Sequence, residues 1–163
     1  MSLSSNYFEV KESCAANGPG VRTAIFLSGC NLHCPGCFNQ VAWDFNSGKL
    51  LNRRIVTQIA ETLSPKYIQG LSILGGEPMD PKNQEAVLAF INEVRNQFGD
   101  KKDIWMWTGY VIDKNLPKTE FTNEILSKID VIVDGPWKQE LWDQTLRFRG
   151  SSNQRILYRG KDF

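Results

Sequence analysis

Short apolar runs alternate along the chain with stretches in which apolar residues recur every three or four positions. The runs predict four strands, at residues 22–27, 71–74, 104–107 and 131–133, and the first of them suits a strand buried on both faces. A further short strand is expected at residues 7–13. Strands that alternate with helical segments at this spacing are typical of βαβ units, so the pattern predicts an α/β fold with a mainly parallel sheet.

Three segments between these strands have helical periodicity. The first follows Asn52, which suits an N-cap. The second is expected to begin at Asp80 and Pro81, because aspartate caps helices and proline fits the first turn. The third follows Thr119. Their predicted apolar faces consist of Ile55, Val56, Ile59, Ala60 and Leu63, then Val87, Phe90, Ile91, Val94 and Phe98, then Phe121, Ile125, Leu126 and Ile129.

The length of the chain limits how such a fold can close. A complete eight-fold βα barrel typically takes about 250 residues, and this chain has 163. It can therefore build only part of a barrel, or an open sheet. We predict a partial, open βα barrel in a single domain over residues 1–163, with residues 137–163 as a C-terminal extension.

Composition and charge limit the partners and the cellular compartment that can be expected. A net charge of +1 gives no sign of a polyanion-binding protein, so no nucleic acid partner is expected. No apolar run approaches the length of a membrane span, and residues 1–12 lack the features of a signal peptide. Clustered cysteines without an export signal favour a reducing compartment. We expect a cytoplasmic protein without membrane contact.

The four central strands all end beside a glycine and a reactive or polar side chain. Cys30 follows the first of them, Gly75-Gly76-Glu77 the second, Thr108-Gly109-Tyr110 the third and Asp134-Gly135 the fourth. Because the carboxyl ends of parallel strands form the functional edge in such folds, we expect one site assembled from four strand ends. The alternative is that the glycines only terminate the strands.

Three of the four cysteines fall within eight positions, as Cys30, Cys34 and Cys37 in the spacing C-x3-C-x2-C. Thiolates this close can hold one soft centre, and iron–sulfur clusters and zinc are the common choices. In a cluster of four irons, three thiolates leave one iron without a protein ligand. That iron would be open to a substrate or cofactor, as the fourth position of catalytic zinc is.

Two other interpretations of the cysteines remain open. Cys34-Pro35-Gly36-Cys37 is also a C-x-x-C pair of the kind found in dithiol redox proteins. Together with Cys14, the three clustered cysteines could instead close a structural zinc site. His33, the only histidine, is adjacent to Cys34, which is awkward for two ligands of one tetrahedral ion, and we interpret it as a loop residue.

Gly75-Gly76-Glu77-Pro78 is not a dinucleotide fingerprint, which needs G-x-G-x-x-G at the start of a helix. It offers exposed backbone groups and one carboxylate, which suit the ammonium and carboxylate of an amino acid. A ligand with an amino-acid end, placed beside an open iron, fits this edge of the sheet.

These features resemble the radical S-adenosylmethionine enzymes, and more closely their small members, the activating proteins of anaerobic ribonucleoside-triphosphate reductase. The closer resemblance lies in residues 17–20, 29–39, 107–110, 130–135 and 149–155, and so spans nearly the whole chain. In much of the superfamily an aromatic residue precedes the third cysteine. Here Gly36 precedes it and Phe38 follows, which favours the narrower family.

The resemblance implies a [4Fe-4S] cluster on Cys30, Cys34 and Cys37, with S-adenosylmethionine chelating the fourth iron. An electron donor would reduce the cluster, and the resulting 5′-deoxyadenosyl radical would take a hydrogen atom from a glycine in the large subunit of anaerobic ribonucleotide reductase. The implied cofactor contacts are Gly36, Cys37, Phe38, Gly75, Gly76, Glu77, Thr108 and Asp134.

The last 26 residues carry six basic and three acidic side chains. They are either a solvated tail or a docking surface for the reductase, with Trp137 and Trp142 as anchors. The alternative functions are a small radical S-adenosylmethionine enzyme acting on a small molecule, a thiol–disulfide oxidoreductase, and a zinc-bound interaction module.

Overall fold

A computed structural model of the chain describes residues 2–37 and 40–163. These residues form seven strands, three α-helices and two short 3-10 helices. The strands are β1 (Ser2–Cys14), β2 (Val21–Leu27), β3 (Lys49–Asn52), β4 (Ile68–Gly75), β5 (Asp103–Trp107), β6 (Val131–Asp134) and β7 (Arg155–Tyr158). The α-helices are α1 (Arg53–Glu61), α2 (Gln84–Phe98) and α3 (Thr122–Lys128), and the 3-10 helices are Gln40–Trp43 and Gln139–Leu141.

All seven strands belong to one sheet, in the order β3-β1-β2-β4-β5-β6-β7. The neighbours β2, β4, β5 and β6 run parallel, as expected for βαβ units. At the two edges the pairing is antiparallel, between β1 and β2, β1 and β3, and β6 and β7. The α/β class is confirmed, but the sheet is mixed, with parallel strands only in its centre. The connection from β1 to β2 spans only residues 15–20, and parallel neighbours would need a crossover of about a dozen residues or more.

The three helices pack on one face of the sheet. Alternate residues of the central strands, such as Ile25, Leu71, Ile73 and Met106, join the apolar sides of all three helices in one large core. The residues between them face the other way and form two smaller clusters, one around Phe26 and one with Trp105, Val131 and Val133. In the described residues, no helix contributes to these two clusters.

A buried arginine, Arg22, lies on the face of the sheet opposite the helices and contacts two neighbouring strands. The Arg22 side chain donates hydrogen bonds to the Ser72 hydroxyl (2.7 Å) and to the Leu71 carbonyl (3.0 Å), and it forms an ion pair with Asp103. It is fully buried. Arg22 therefore joins β2, β4 and β5 through side-chain contacts as well as through the sheet.

The helix boundaries differ in part from the sequence prediction. Asn52 caps α1 as predicted, because its side-chain oxygen accepts a hydrogen bond from the Ile55 amide (2.9 Å). The prediction that α2 begins at Asp80 and Pro81 is wrong: it begins at Gln84. The Asp80 carboxylate instead accepts from the Lys82 amide and from Asn31, which holds a turn before the helix. None of the helices in the described residues has the length and apolar character of a membrane span.

Candidate functional site

The carboxyl ends of β2, β4, β5 and β6 meet at one cavity of about 210 Å³. We call it the cysteine cavity, because Cys30, Cys34 and Cys37 all line it. Its other lining residues are Leu32, Trp43, Leu74, Gly75, Gly76, Glu77, Trp107, Thr108, Gly109, Gly135, Trp137 and Gln154. The structure thus brings together the strand ends that the sequence singled out, including residues more than 100 positions apart.

Backbone hydrogen bonds fix these strand ends against one another. The Gly76 amide donates to the Leu27 carbonyl (2.7 Å), and the Glu77 amide donates to the Gly29 carbonyl (2.7 Å). On the other side of the same loop, the Gly29 amide donates to the Ala42 carbonyl (2.6 Å). The loops after β2 and β4 and the 3-10 helix at residues 40–43 therefore form one hydrogen-bonded frame around the cavity.

Position 76 requires glycine because the backbone of other loops leaves no space for a side chain there. A Cβ atom at this position would collide with the Gly29 carbonyl oxygen and would lie 2.7 Å from the Ala42 carbonyl oxygen. Both atoms are backbone and cannot rotate away. The sequence suggested close approach of backbone to a ligand here, and the structure shows close approach of backbone to backbone.

Glu77 is buried at the centre of the site, with 1% of its surface exposed. One carboxylate oxygen accepts from the Gly109 amide (2.6 Å), and the other accepts from the Thr108 hydroxyl (2.6 Å) and the Met79 amide (2.8 Å). Burial raises the pKa of the Glu77 carboxyl to about 7, against these three donors, which favour the ionised form. The side chain thus ties the end of β4 to the end of β5 and changes its charge near neutral pH.

The thiols of Cys30 and Cys34 are poor nucleophiles in these surroundings. Burial raises the pKa of Cys30 and of Cys34, although the Trp137 amide opposes the shift at Cys34 by donating to its sulfur. A reactive dithiol needs a lowered pKa at its attacking cysteine. The surroundings of Cys34 therefore do not favour the thiol–disulfide interpretation.

Cys14 lies outside the cysteine cavity. It packs with Ala24 and Phe26 on the second face of the sheet, and its sulfur accepts a hydrogen bond from the Asn17 amide group (3.3 Å). Within residues 2–37 and 40–163, no three His, Cys, Asp or Glu side chains are grouped so as to hold a single metal ion. Three thiols that line one cavity are the donor set for a four-iron cluster with one open iron.

Several other predicted site residues lie nearby. Gly36 adopts a left-handed backbone conformation (φ +74°) between Cys34 and Cys37, next to the Trp137 ring. Asp134 does not line the cysteine cavity: it is buried, pairs with Arg155 and accepts from the Ile112 amide, while its neighbour Gly135 lines the cavity. Phe38 lies outside the described residues.

Sequence reasoning missed several residues of the cavity wall. Trp43 lines the cavity, and its buried indole N–H has no acceptor among the described residues, so a bound group with an acceptor atom would satisfy it. Gln154 lines the cavity from the loop before β7, and its amide group donates to the Gly135 carbonyl (3.1 Å). Trp137 was expected only as a docking anchor. Its position directly after Gly135-Pro136, at the end of β6, was a signal that it belongs to the site.

Known proteins are similar to this chain over nearly its whole length. Residues 16–157 match a protein family described as a 4Fe-4S single cluster domain. A protein of Haemophilus influenzae named anaerobic ribonucleoside-triphosphate reductase-activating protein is 41% identical over 158 residues, which are 96% of this chain and 99% of that protein. Proteins of the same name from phage T4 and Escherichia coli K12 are each 39% identical, over 93% and 91% of this chain and 92% and 96% of their own lengths.

Proposed function

Since the chain belongs to the family of anaerobic ribonucleoside-triphosphate reductase-activating proteins, we propose that the cysteine cavity is where it performs the activating reaction. The chain is a radical S-adenosylmethionine enzyme with a [4Fe-4S] cluster. When bound, the cluster and S-adenosylmethionine supply a 5′-deoxyadenosyl radical, which takes a hydrogen atom from a glycine of the large reductase subunit.

Cys30, Cys34 and Cys37 are the proposed ligands of the cluster. In support, all three line one cavity while Cys14 lies elsewhere, and their number leaves one iron open. Loading the cluster must displace protons from thiols whose pKa is raised at Cys30 and Cys34, so assembly should be favoured at alkaline pH.

S-adenosylmethionine is proposed to bind along the ends of β4 and β5. Gly75 and Gly76 present backbone to the cavity, and Glu77 holds the Thr108 hydroxyl and the Gly109 amide in place. Gly36, Cys37 and Phe38 are proposed to contact the cofactor from the cysteine loop. For Asp134 we propose an indirect role, because its carboxylate holds Arg155 while Gly135 faces the cavity.

The observation that carries this proposal is the convergence of three thiols and the Gly75-Gly76-Glu77 backbone on one cavity at the ends of four strands. We propose further that the sheet is the open part of a βα barrel, within a single domain whose residues 137–163 help to dock the reductase. We propose that the protein is cytoplasmic and receives its electron from a separate donor. We propose no nucleic acid or membrane partner.

Anaerobic reconstitution followed by two measurements tests it. Reduced, iron-loaded protein should convert S-adenosylmethionine to methionine and 5′-deoxyadenosine, and addition of the large reductase subunit should produce a glycyl radical doublet in the electron paramagnetic resonance spectrum. Cleavage without the doublet would favour a small-molecule substrate. Failure of both, with no iron or sulfide bound, would leave the zinc and dithiol alternatives.

A further inference from the structure

On the proposed function, a glycine of another protein must reach the cysteine cavity. That cavity measures about 210 Å³, below the roughly 300–1,000 Å³ of typical ligand pockets. A cluster and its cofactor would fill it. A polypeptide substrate must therefore come in through space that adjoins the cavity.

Three further cavities share lining residues with it. One, of about 310 Å³, does so only at Gly135. The remaining two share three and four lining residues with it. The first of these two, of about 390 Å³, meets the cysteine cavity at Leu32, Cys34 and Trp137, so its occupant would lie against a proposed cluster ligand. The other, of about 370 Å³, meets it at Leu74, Trp107, Trp137 and Gln154. We call this second space the aromatic cavity, because Trp107, Trp137 and Phe148 line it together with Ala16 and Arg149.

The aromatic cavity opens on the cofactor end of the site. None of the three clustered cysteines lines it. Leu74 and Trp107 stand directly before Gly75 and Thr108, which are proposed to contact S-adenosylmethionine. Something bound in the aromatic cavity would therefore face the cofactor, whereas something bound in the other cavity would face the cluster loop.

Its walls are preformed. The Trp107 indole N–H donates to the Phe148 carbonyl (2.7 Å), and the Phe148 ring packs edge-on against Trp105 with 5.4 Å between ring centroids. A Cβ atom at Gly150 would lie 2.9 Å from the Trp137 ring, so the loop that carries Phe148 is packed closely against that indole. The walls of the aromatic cavity are therefore already in place before a polypeptide segment of a partner binds.

The chemistry of the walls suits a short stretch of polypeptide. Aromatic faces bind backbone and small side chains, and the lining contains one guanidinium, from Arg149, and no carboxylate. Next to it, the exposed Arg147 lies over the Phe148 ring, 4.8 Å from its centroid. Carbonyl oxygens and acidic side chains of a partner would be attracted by these two guanidinium groups.

We propose that the aromatic cavity receives the glycine-bearing segment of the large reductase subunit and presents its glycine to the cysteine cavity between Trp107 and Trp137. This inference rests on the proposed function and adds the route by which the protein substrate enters. It assigns to Trp107, Trp137 and Phe148 a role in substrate positioning.

Adjacent alanines offer a matched pair of variants. Ala16 is exposed and lines the aromatic cavity, whereas its neighbour Ala15 is also exposed but lines none of the cavities described here. Ala16→Phe should weaken binding of the metal-free protein to the large subunit about tenfold, because the added ring would occupy space that the bound segment needs. In the loaded enzyme it should lower the glycyl radical yield to a similar extent. Ala15→Phe should leave both unchanged.

Two controls separate the alternatives. The Ala16→Phe protein should keep its iron and, without reductase, cleave S-adenosylmethionine as the unaltered protein does; loss of that cleavage would assign the aromatic cavity to the cofactor and overturn the proposal. If the unaltered protein gives no glycyl radical with the reductase, the proposed function itself fails.

Cross-linking provides a measurement that does not depend on the chemistry. A photoreactive p-benzoylphenylalanine in place of Leu146, a large side chain that lines the aromatic cavity, should cross-link to residues flanking the radical glycine of the large subunit, as mapped by mass spectrometry. The same group at position 15 should not. Unchanged binding and radical yield in Ala16→Phe, together with no cross-link to that segment, would refute the proposal.

Discussion

Replacing Glu77 by glutamine should make the stability of the metal-free protein less dependent on pH. The Glu77 carboxyl is 1% exposed, and burial raises its pKa from 4.5 to about 7. Between these two values the folded protein keeps a proton that the unfolded chain releases. The free energy of unfolding must therefore fall as the pH rises through this range.

The size of the effect follows from the shift. One pKa unit corresponds to about 1.4 kcal/mol, so a rise from 4.5 to about 7 corresponds to about 3 kcal/mol. This stability is fully present below pH 4.5 and is lost above pH 7. Between pH 5 and pH 8 the contribution of Glu77 should fall by about 2–3 kcal/mol.

Glutamine keeps the shape of the side chain and does not ionise. It also places an NH2 group where the carboxylate accepts hydrogen bonds from Thr108, Gly109 and Met79. At least one donor then loses its acceptor, at a cost of about 1–3 kcal/mol. The variant should be the less stable protein at pH 5 and should equal or exceed the unaltered protein at pH 8.

Urea unfolding followed by tryptophan fluorescence, at pH 5, 6, 7 and 8 with reductant and chelator, measures this difference. Other titrating groups cancel in the comparison of the two proteins. Glu61→Gln, at an exposed position of α1, controls for the loss of one carboxylate. A difference between Glu77→Gln and the unaltered protein that stays constant from pH 5 to 8 would show that the three donors outweigh burial, and would refute the reasoning.

Three further predictions concern the cluster, the partner and the fold. Alanine at Cys30, Cys34 or Cys37 should each abolish most iron binding after anaerobic reconstitution, whereas Cys14→Ala should retain it; iron analysis decides, and iron loss in the Cys14 variant would revive a four-cysteine site. Arg147→Ala, which removes an exposed cation beside the aromatic cavity, should weaken the complex with the reductase severalfold and reduce its salt dependence, as binding at two ionic strengths would reveal. Arg22→Met should lower the free energy of unfolding by about 3 kcal/mol, because it breaks a buried ion pair and hydrogen bonds to Ser72 and Leu71; equal urea midpoints for the two proteins would contradict this.

The sequence alone was sufficient for the centre of the fold and for much of the wall of the cysteine cavity. Apolar runs at residues 22–27, 71–74, 104–107 and 131–133 predicted the four parallel strands. Because parallel strands place their carboxyl ends at one edge, the residues after each run had to lie close together. The cysteines, Gly76, Glu77 and Thr108 could be assigned to one site on that ground alone.

Only the tertiary structure decided what surrounds these residues. The edge strands β3 and β7 have four residues each and a weak apolar pattern, so nothing local marks them. Asp80 does not cap α2. Its carboxylate accepts a hydrogen bond from Asn31, which lies 49 positions earlier in the chain. Long-range hydrogen bonds of this kind leave no periodic signal in the chain.

Long-range contacts also explain why the sequence did not predict the pKa of Glu77 or the tryptophans of the cavity wall. The raised pKa of Glu77 arises from burial by several segments at once, and two of its three hydrogen bonds come from Thr108 and Gly109, some thirty positions away. Trp43 and Trp137 join the cavity wall only because the loops after β2 and β6 fold over the strand ends. Residue type and spacing determine which chemistry is available, whereas desolvation and the shape of the cavity depend on all elements packed together.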